Sequence, residues 1–243
     1  MGVTYNNRIV TDGLVLCLDA ASKRSYPGTG TTWTDLKGVN NGTLTNGPTF
    51  DSANGGSIVF DGGNDYTSLG LNLQNLLLAT QQYSFVLWVY PTSNPTDSGI
   101  VANYHGNAVN SERHGFGIRR YGGGKIRNIL SDSGGGNYIY ADTASGSCPT
   151  GIWSHVTATW GGEFTASSFK IYINGQESQA TSGVSGTVNS FNYSNLECTI
   201  GRVRFLSSYH YFGGNISNLS IYNRALSADE ILQNYLSTKE RYA

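Results

Sequence analysis

The sequence predicts an all-β protein, an antiparallel two-sheet β-sandwich or jelly roll closed by one short C-terminal helix. Three observations predict it. Short runs rich in Val, Ile, Tyr, Phe and Trp recur along the 243 residues, separated by Gly, Asn and Ser turns, and 32 glycines supply the reversals. The chain has no strand–helix alternation of the kind that builds a parallel sheet. One segment carries a complete helix start signal, and it is the last: Ser227 stands three residues before Glu230, the reciprocal pair of a capping box. No compositional break, linker or fixed-period repeat divides the chain. The reading is one domain over residues 9–243, including a helix at 227–240, preceded by a polar arm at 1–8.

Taken in order, residues 9–20 (IVTDGLVLCLDA) hold the apolar run Leu14, Val15, Leu16 and Leu18, which suits a strand at a sheet centre. Residues 25–46 are almost pure turn chemistry, with Pro27-Gly28 and Asn41-Gly42 steps. Trp33 and Leu36 are the large apolar residues there and are expected to pin this loop to the core. Ile58 to Phe60 is a short strand, residues 61–65 (DGGND) turn, and Tyr66 begins the return. Residues 71–79 suit a short helix or a covered loop. Residues 83–90 (YSFVLWVY) are the most strand-like run, and Pro91 ends it. Residues 115–120 and 125–130 form a hairpin over Tyr121-Gly-Gly-Gly124, and 138–142 make another strand. Residues 153–160 (WSHVTATW) alternate cleanly, and 169–173 alternate again before the hairpin turn Asn174-Gly175. Residues 202–212 read as an aromatic, basic loop. Ile216, Leu219, Ile221 and Tyr222 then form a half-buried strand. Ile231, Leu232, Tyr235 and Leu236 share one helical face that has to dock on the back or edge of a sheet.

Composition excludes several functions. Charged residues are 13% and the formal net charge is −1, so no basic excess exists to displace phosphate counterions from nucleic acid or to hold a membrane surface. No run approaches the ~18 apolar residues of a membrane helix. The opening MGVTYNNRIVTDG lacks the apolar core of a secretory signal, and Asn6 breaks the myristoylation pattern. The sequons at Asn41, Asn192, Asn215 and Asn218 therefore carry no weight. Cys17, Cys148 and Cys198 are scattered, neither a disulfide framework nor a zinc set, and are expected to be buried thiols.

The candidate chemistry is of three kinds. For catalysis, Glu112, Glu163, Glu177 and Glu197 stand isolated, whereas retaining glycosidases need two carboxyl groups roughly 5 Å apart. No nucleophile-elbow sequence occurs, and His155 alternates within a strand, as a packed histidine does. The reading is a protein that is not an enzyme. For metal, Asp61, Asn64 and Asp65 crowd one turn, and such turns can give oxygen ligands to calcium; the same residue types also serve an ordinary turn. Asp19 is expected to satisfy backbone groups where the first strand ends. For ligand binding, Tyr104, His105, Arg113, His114 and Tyr121 in one region, and Arg202, Arg204, Tyr209, His210 and Tyr211 in another, set aromatic rings beside hydrogen-bond donors. Sugars and protein partners are both recognised by such groups, though the same side chains can simply cover strand edges. Trp33, Trp88, Trp153 and Trp160 sit in apolar or alternating frames and are assigned to the core.

The ordered pieces LVLCLDA, FDGGNDY at 60–66, YSFVLWVY, WSHVTATW, FKIYINGQ and GNISNLSIYNRALSADEI resemble the laminin-G-like branch of the concanavalin A-like lectin/glucanase superfamily. The resemblance runs from Ile9 to Tyr235. DGLVL followed by SYPGTGTTW is also similar to structural proteins of tailed phages, especially cyanophages and other marine phages. The resemblance implies two curved antiparallel sheets that bind glycans or proteins, often with calcium at a sheet rim. It implies hydrolysis only where carboxylates are spaced Glu-x-Asp-x-x-Glu on one strand, a spacing this chain lacks. The expectation is a non-enzymatic virion structural or adhesion protein (fibre, decoration or neck–tail) assembled in the host cytoplasm. Its partners would be other virion proteins and host-surface polysaccharide, with no nucleic acid and no membrane insertion, and a homo-oligomer stays open. A free glycan-binding lectin and a glycan hydrolase of the same superfamily are the alternatives.

Overall fold

The computed structural model describes residues 8–38, 40–70, 80–94, 97–103, 105–106, 113–132, 136–189, 196–205 and 208–243. In chain order the strands are β1 (Leu14–Asp19), β2 (Thr32–Trp33), β3 (Gly42–Thr45), β4 (Thr49–Asp51), β5 (Ser57–Asp61), β6 (Tyr66–Ser68), β7 (Tyr83–Pro91), β8 (Asp97–Ala102), β9 (His105–Gly106) and β10 (Arg113–Tyr121). They continue as β11 (Lys125–Ser131), β12 (Tyr138–Thr143), β13 (Ser154–Trp160), β14 (Phe169–Ile173), β15 (Gln176–Glu177), β16 (Gln179–Ser185), β17 (Thr199–Ile200), β18 (Arg202–Phe205), β19 (Ser208–Tyr211) and β20 (Gly213–Tyr222). One α-helix follows, α1 (Ala228–Thr238). Two large sheets face each other as an antiparallel sandwich. The first runs β15-β14-β13-β7-β20-β5-β4, with β1 also on β20. The second runs β16-β12-β11-β10-β8-β17-β6-β3-β2, and β9, β18 and β19 are attached to it.

The closing strand β20 is the hub of the first sheet. One edge lies along β7, from Gly214 opposite Pro91 to Tyr222 opposite Ser84. The other edge is shared, β5 taking residues 213–216 and β1 the end from Asn218 to Tyr222. Strands β7, β13 and β20 are buried on nearly every residue, because both of their faces are covered. Their inner face (Phe85, Leu87, Val156, Trp160, Ile216, Leu219) packs against Phe116, Ile118, Leu130 and Ile139 of the second sheet. The rings of Tyr83, Phe85, Phe116 and Trp160 meet at 5.1–5.7 Å between centroids in tilted or edge-on pairs. Tyr83 Oη donates to Asn128 Oδ1 at 2.9 Å and Asn128 Nδ2 donates to the Thr159 carbonyl at 3.0 Å, so one buried amide ties the two sheets together.

Helix α1 covers the outer face of the first sheet. It starts as the sequence predicts: Ser227 Oγ accepts from Glu230 N at 3.3 Å and Glu230 Oε2 accepts from Ser227 N at 2.9 Å. Its docking face differs from the expectation. Ile231 is buried with Asn234 and Thr238, while Leu232, Tyr235 and Leu236 are half-buried. The reason is that the sheet beneath presents polar groups. Asn234 Oδ1 accepts from Val10 N at 2.8 Å, Asn234 Nδ2 donates to Tyr222 Oη at 3.2 Å, and Trp88 Nε1 donates to Thr238 Oγ1 at 2.9 Å. The α-helix ends at Thr238 and the chain continues as a tighter turn over Lys239–Arg241, which contains the predicted end at 240.

Other expectations shift in detail. Trp33 is fully buried and pins its loop, but Leu36 is 38% exposed. Cys148 and Cys198 are buried, Cys17 only half-buried, and all three are free thiols. Two- to four-residue strands such as β2 and β3 lie inside the turn-rich segment, where no periodic signal could reveal them. Residues 1–7 of the expected arm, and 71–79, lie outside the described residues. Among the described residues no helix is long and apolar enough to cross a membrane.

Candidate functional site

Strict alternation along β10, β11 and β12 builds the site. Ile118, Ile126, Leu130, Ile139 and Ala141 point into the core and leave their neighbours on the outer face of the second sheet. Register aligns those neighbours in rows: Arg119 opposite Arg127, and Arg127 opposite Asp142; Gly117 opposite Ile129, and Ile129 opposite Tyr140; Ser131 opposite Tyr138. Arg127 donates to Asp142 through Nε and Nη2, both at 2.7 Å, and Nη2 also reaches Tyr121 Oη at 3.1 Å. Tyr121 Oη donates in turn to Asp142 Oδ2 at 2.5 Å. The Arg127 guanidinium lies 4.7 Å from the Tyr121 ring centroid and 4.6 Å from that of Tyr140. Tyr138 extends the series, 5.9 Å from Tyr140.

Electrostatics follow from this packing. Burial opposes the charge of Arg127, but the Asp142 hydrogen bonds and charge outweigh it and hold the guanidinium above its ordinary value. Burial, and then the bond to Asp142, push the Tyr121 phenol up to about 12. Arg119, bonded through Nε to Asp97 Oδ1 at 3.0 Å and through Nη2 to the same carboxylate, is brought down to about 10 by burial and then by the charge of Arg127.

The β18–β19 hairpin crosses this face over β8. Val203 is buried with Ala102 and Ile129 beneath it. In the hairpin register Val203 pairs with His210, and Arg202 and Arg204 pair with Tyr211 and Tyr209, so these two sets share opposite faces. His210 is held below the usual histidine range by burial and then by the charge of Arg119. Arg202 lies 3.5 Å from the Tyr66 ring centroid and 4.7 Å from that of Tyr209, and its Nη2 donates to Glu197 Oε2 at 2.7 Å. Ser68 Oγ bonds the same carboxylate. Tyr209 is 46% exposed, with Tyr211 at 6.1 Å. Two arginine–tyrosine clusters thus flank a buried strip of Ala102, Ile129 and Val203.

The sheet brings the two sequence-predicted regions together. Residues 202–212 are a β-hairpin rather than a loop, because Arg202 to Phe205 pair in register with Tyr211 to Ser208. Arg113 and His114 pair with Gly106 and His105, and His105 also pairs with Arg204, so β9 joins β10 to the hairpin. Tyr104 lies outside the described residues, as do the side chains of His105, Arg113 and His114. Sequence reasoning missed Tyr66, Asp97, Arg127, Tyr138, Tyr140 and Asp142. The period-2 spacing of Tyr138, Tyr140 and Asp142 in one strand was the available signal.

In the Asp61–Asp65 turn, acidic oxygens accept from the turn's own backbone. Asp61 Oδ1 accepts from the amides of Gly63, Asn64 and Asp65 at 2.7, 3.2 and 3.4 Å, and these bonds, Gly63 foremost, hold its carboxyl below the usual range. Asp65, 4% exposed, turns Oδ2 to Asp61 N at 3.1 Å, and the Asn64 carbonyl accepts from Asn46 Nδ2 at 3.0 Å. Asp61 Oδ1 and Asp65 Oδ2 thus serve the turn's own backbone. Among the described residues no group of three or more His, Cys, Asp or Glu side chains gathers for a metal. Elsewhere, Glu177 pairs with Lys170 at 2.7 Å, Glu163 is exposed, and Glu112 lies outside the described residues. Asp19 Oδ1 accepts from Ala21 N at 3.1 Å and pairs with Arg241.

A family model described as the concanavalin A-like lectin/glucanases superfamily, of laminin G type, matches residues 61–232. Among solved structures, domain 4 of AbnA, a GH43 extracellular arabinanase from Geobacillus stearothermophilus in complex with arabinotriose, is 21% identical with a TM-score of 0.64, covering 91% of this chain and 98% of that domain. A Trypanosoma rangeli sialidase in complex with sialic acid is 17% identical with a TM-score of 0.63 over 96% of this chain, which spans only 34% of the sialidase. The receptor-binding domain of a botulinum neurotoxin of C/D mosaic serotype is 16% identical with a TM-score of 0.64, covering 92% of this chain and 51% of that one. At these identities the likeness is one of fold. No curated protein matches in sequence.

Proposed function

The chain belongs to the concanavalin A-like lectin/glucanases superfamily, and on that premise we propose that it is a non-enzymatic glycan-binding adhesion module whose site is the arginine–tyrosine face of the second sheet. The observation that carries the reading is the Arg127 guanidinium held between the Tyr121 and Tyr140 rings and locked by Asp142. Ring faces offer packing for sugar C–H groups, and polar groups already fixed by one another bind at a low ordering cost. Asp97, Asp142 and Glu197 each bond an arginine, an arrangement that suits recognition better than proton transfer. The arabinotriose bound to domain 4 of the arabinanase supports a glycan ligand.

The setting we propose is a tailed-phage virion, as a fibre, decoration or neck–tail component contacting other virion proteins and host-surface polysaccharide. This part rests on the resemblance of DGLVL and SYPGTGTTW to phage structural proteins. A glycan array probed with the full chain, with and without calcium, tests the binding. At least one hit that Tyr140→Ala abolishes is expected, and an array without hits overturns it. Bound glycans should release no new reducing ends; their release would make the protein a hydrolase. Mass spectrometry of purified particles of the encoding phage tests the setting. Detection of the chain is expected, and its absence from the particles would leave a free lectin.

A further inference from the structure

Six rings run across the outer face of the first sheet, beside helix α1. Tyr242 stacks on Trp88 at 4.1 Å and 23°, and Trp153 lies 4.8 Å from Tyr242 and 5.5 Å from Tyr90. His155 and Tyr235 complete the group against Trp88, at 5.2 and 5.9 Å. Trp153, assigned to the core from its sequence frame, is only half-buried, and its neighbour Ile152 is 57% exposed. Two cavities share Trp153 as a wall. One, of about 290 Å³, is also lined by Trp88, Asn174, Tyr235 and Tyr242. The other, of about 320 Å³, is lined by Asp51, Asn54, Tyr90 and Asn215. Each is near the small end of ligand sites, roughly 300 Å³, so the pair suits successive units of one chain-like ligand astride the indole.

The polar groups of the second cavity are fixed in place. Asn215 donates Nδ2 to Ser57 Oγ at 3.0 Å and to Asp51 Oδ2 at 3.3 Å. Asn54, at a left-handed φ of 54°, donates Nδ2 to the Arg241 carbonyl at 2.9 Å. Half-buried rings beside oriented amide and carboxylate groups match a ligand with apolar C–H faces and many hydroxyls. Asp51 is the charged residue of that lining. Lys239 and Glu240, which line the first cavity, pair with each other at 3.8 Å. The charge left across the two is therefore the negative one of Asp51, which repels anionic sugars. We propose that this face holds a second saccharide site, centred on Trp153, that takes neutral oligosaccharides and is independent of the arginine–tyrosine face.

Arabinotriose, cellotriose and maltotriose, with sialyllactose as the anionic comparison, are titrated into the full ¹⁵N-labelled chain while the Trp153 indole N–H resonance is followed. At least one neutral sugar is expected to shift that resonance saturably, and sialyllactose is not. Calorimetry then compares variants. Trp153→Ala should weaken the neutral sugar about tenfold or more, roughly one aromatic contact's worth. Tyr140→Ala, on the opposite face, should leave that affinity unchanged. A Trp153 resonance that no neutral sugar moves in the wild-type chain overturns the proposal, whatever the variants do. So does a stronger response to sialyllactose, or an affinity that Tyr140→Ala removes and Trp153→Ala does not.

Discussion

Gly99 lies directly beneath the peptide joining Arg202 to Val203: a β-carbon there would stand 2.4 Å from the Arg202 carbonyl carbon and 2.4 Å from the Val203 nitrogen. Backbone sits on backbone at this point, so no side-chain rotation can relieve an added methyl. Gly99→Ala is expected to lift the β18–β19 hairpin, uncover Ala102 and Ile129, and cost roughly 1–3 kcal/mol, the range for overpacking. Urea unfolding reads the stability, and glycan-array signal reads the separation of the two arginine–tyrosine clusters. Wild-type values in both measurements would mean that this contact does not hold the hairpin.

Arg127 does two things that lysine cannot do together: it grips Asp142 with two N–H groups and presents a flat cation to two rings. Arg127→Lys keeps the charge and loses both. Glycan affinity is expected to fall roughly tenfold to a hundredfold, with about 1–2 kcal/mol of stability lost, since a charge-assisted bidentate pair is broken. Calorimetric titration and thermal unfolding measure the two effects. An affinity equal to wild type would remove Arg127 from the site.

The sandwich was legible because both periodicities are plain: residues 83–90 and 153–160 read as strands, and Ser227 with Glu230 marks the C-terminal helix. The helix's docking face was not legible, because Asn234 and Thr238 are buried for the sake of Val10, Tyr222 and Trp88, partners far away in sequence. The site was half legible. Tyr121, Arg202 and Tyr209 stood out as aromatic–basic clusters, whereas Arg127 and Asp142 look ordinary until strand register sets them opposite each other. Gly99 carries no local signal at all, since its role is the passage of a hairpin more than 100 residues later in the chain.

Asp61 organises its turn by accepting three backbone amides through one oxygen. Asp61→Ala leaves those amides without that acceptor and is expected to lower stability by about 1–2 kcal/mol. The loss should be the same in calcium and in chelator, because Asp61 Oδ1 and Asp65 Oδ2 already accept backbone amides. A melting temperature raised by calcium in the wild type, and not in the variant, would instead put an ion at these residues.

The capping box gives α1 an acid-sensitive start. Arg224 hydrogen bonds draw Glu230 down from 4.5 to about 2, with the Ser227 amide adding to the effect. A carboxylate depressed in the folded state contributes its full stability above the unfolded value, and loses it as pH falls from about 4.5 towards 2. Glu230→Gln should flatten the stability profile in that window and leave it parallel to wild type above it. Ser227→Ala should cost about 1 kcal/mol at neutral pH. Denaturant unfolding across the acid range checks both, and an unchanged profile for Glu230→Gln would contradict the assigned bond.

His155 should make the protein lose stability in a higher window. It is 1% exposed, enclosed by the Trp88 and Tyr235 rings, and burial lowers it from 6.5 to about 3. The folded state therefore keeps the imidazole neutral while the unfolded chain takes up a proton. Stability should be flat above about pH 6.5 and fall below it with a slope approaching 1.4 kcal/mol per pH unit, continuing until the folded group titrates. His155→Phe keeps a ring between Trp88 and Tyr235 and removes the titration, so its profile should lose this slope while retaining the loss at lower pH due to Glu230. Urea unfolding of both chains between about pH 7.5 and 4.5 separates the two contributions, because Glu230 is ionised in both states over most of that span. Parallel profiles would mean that His155 takes its proton in the folded protein.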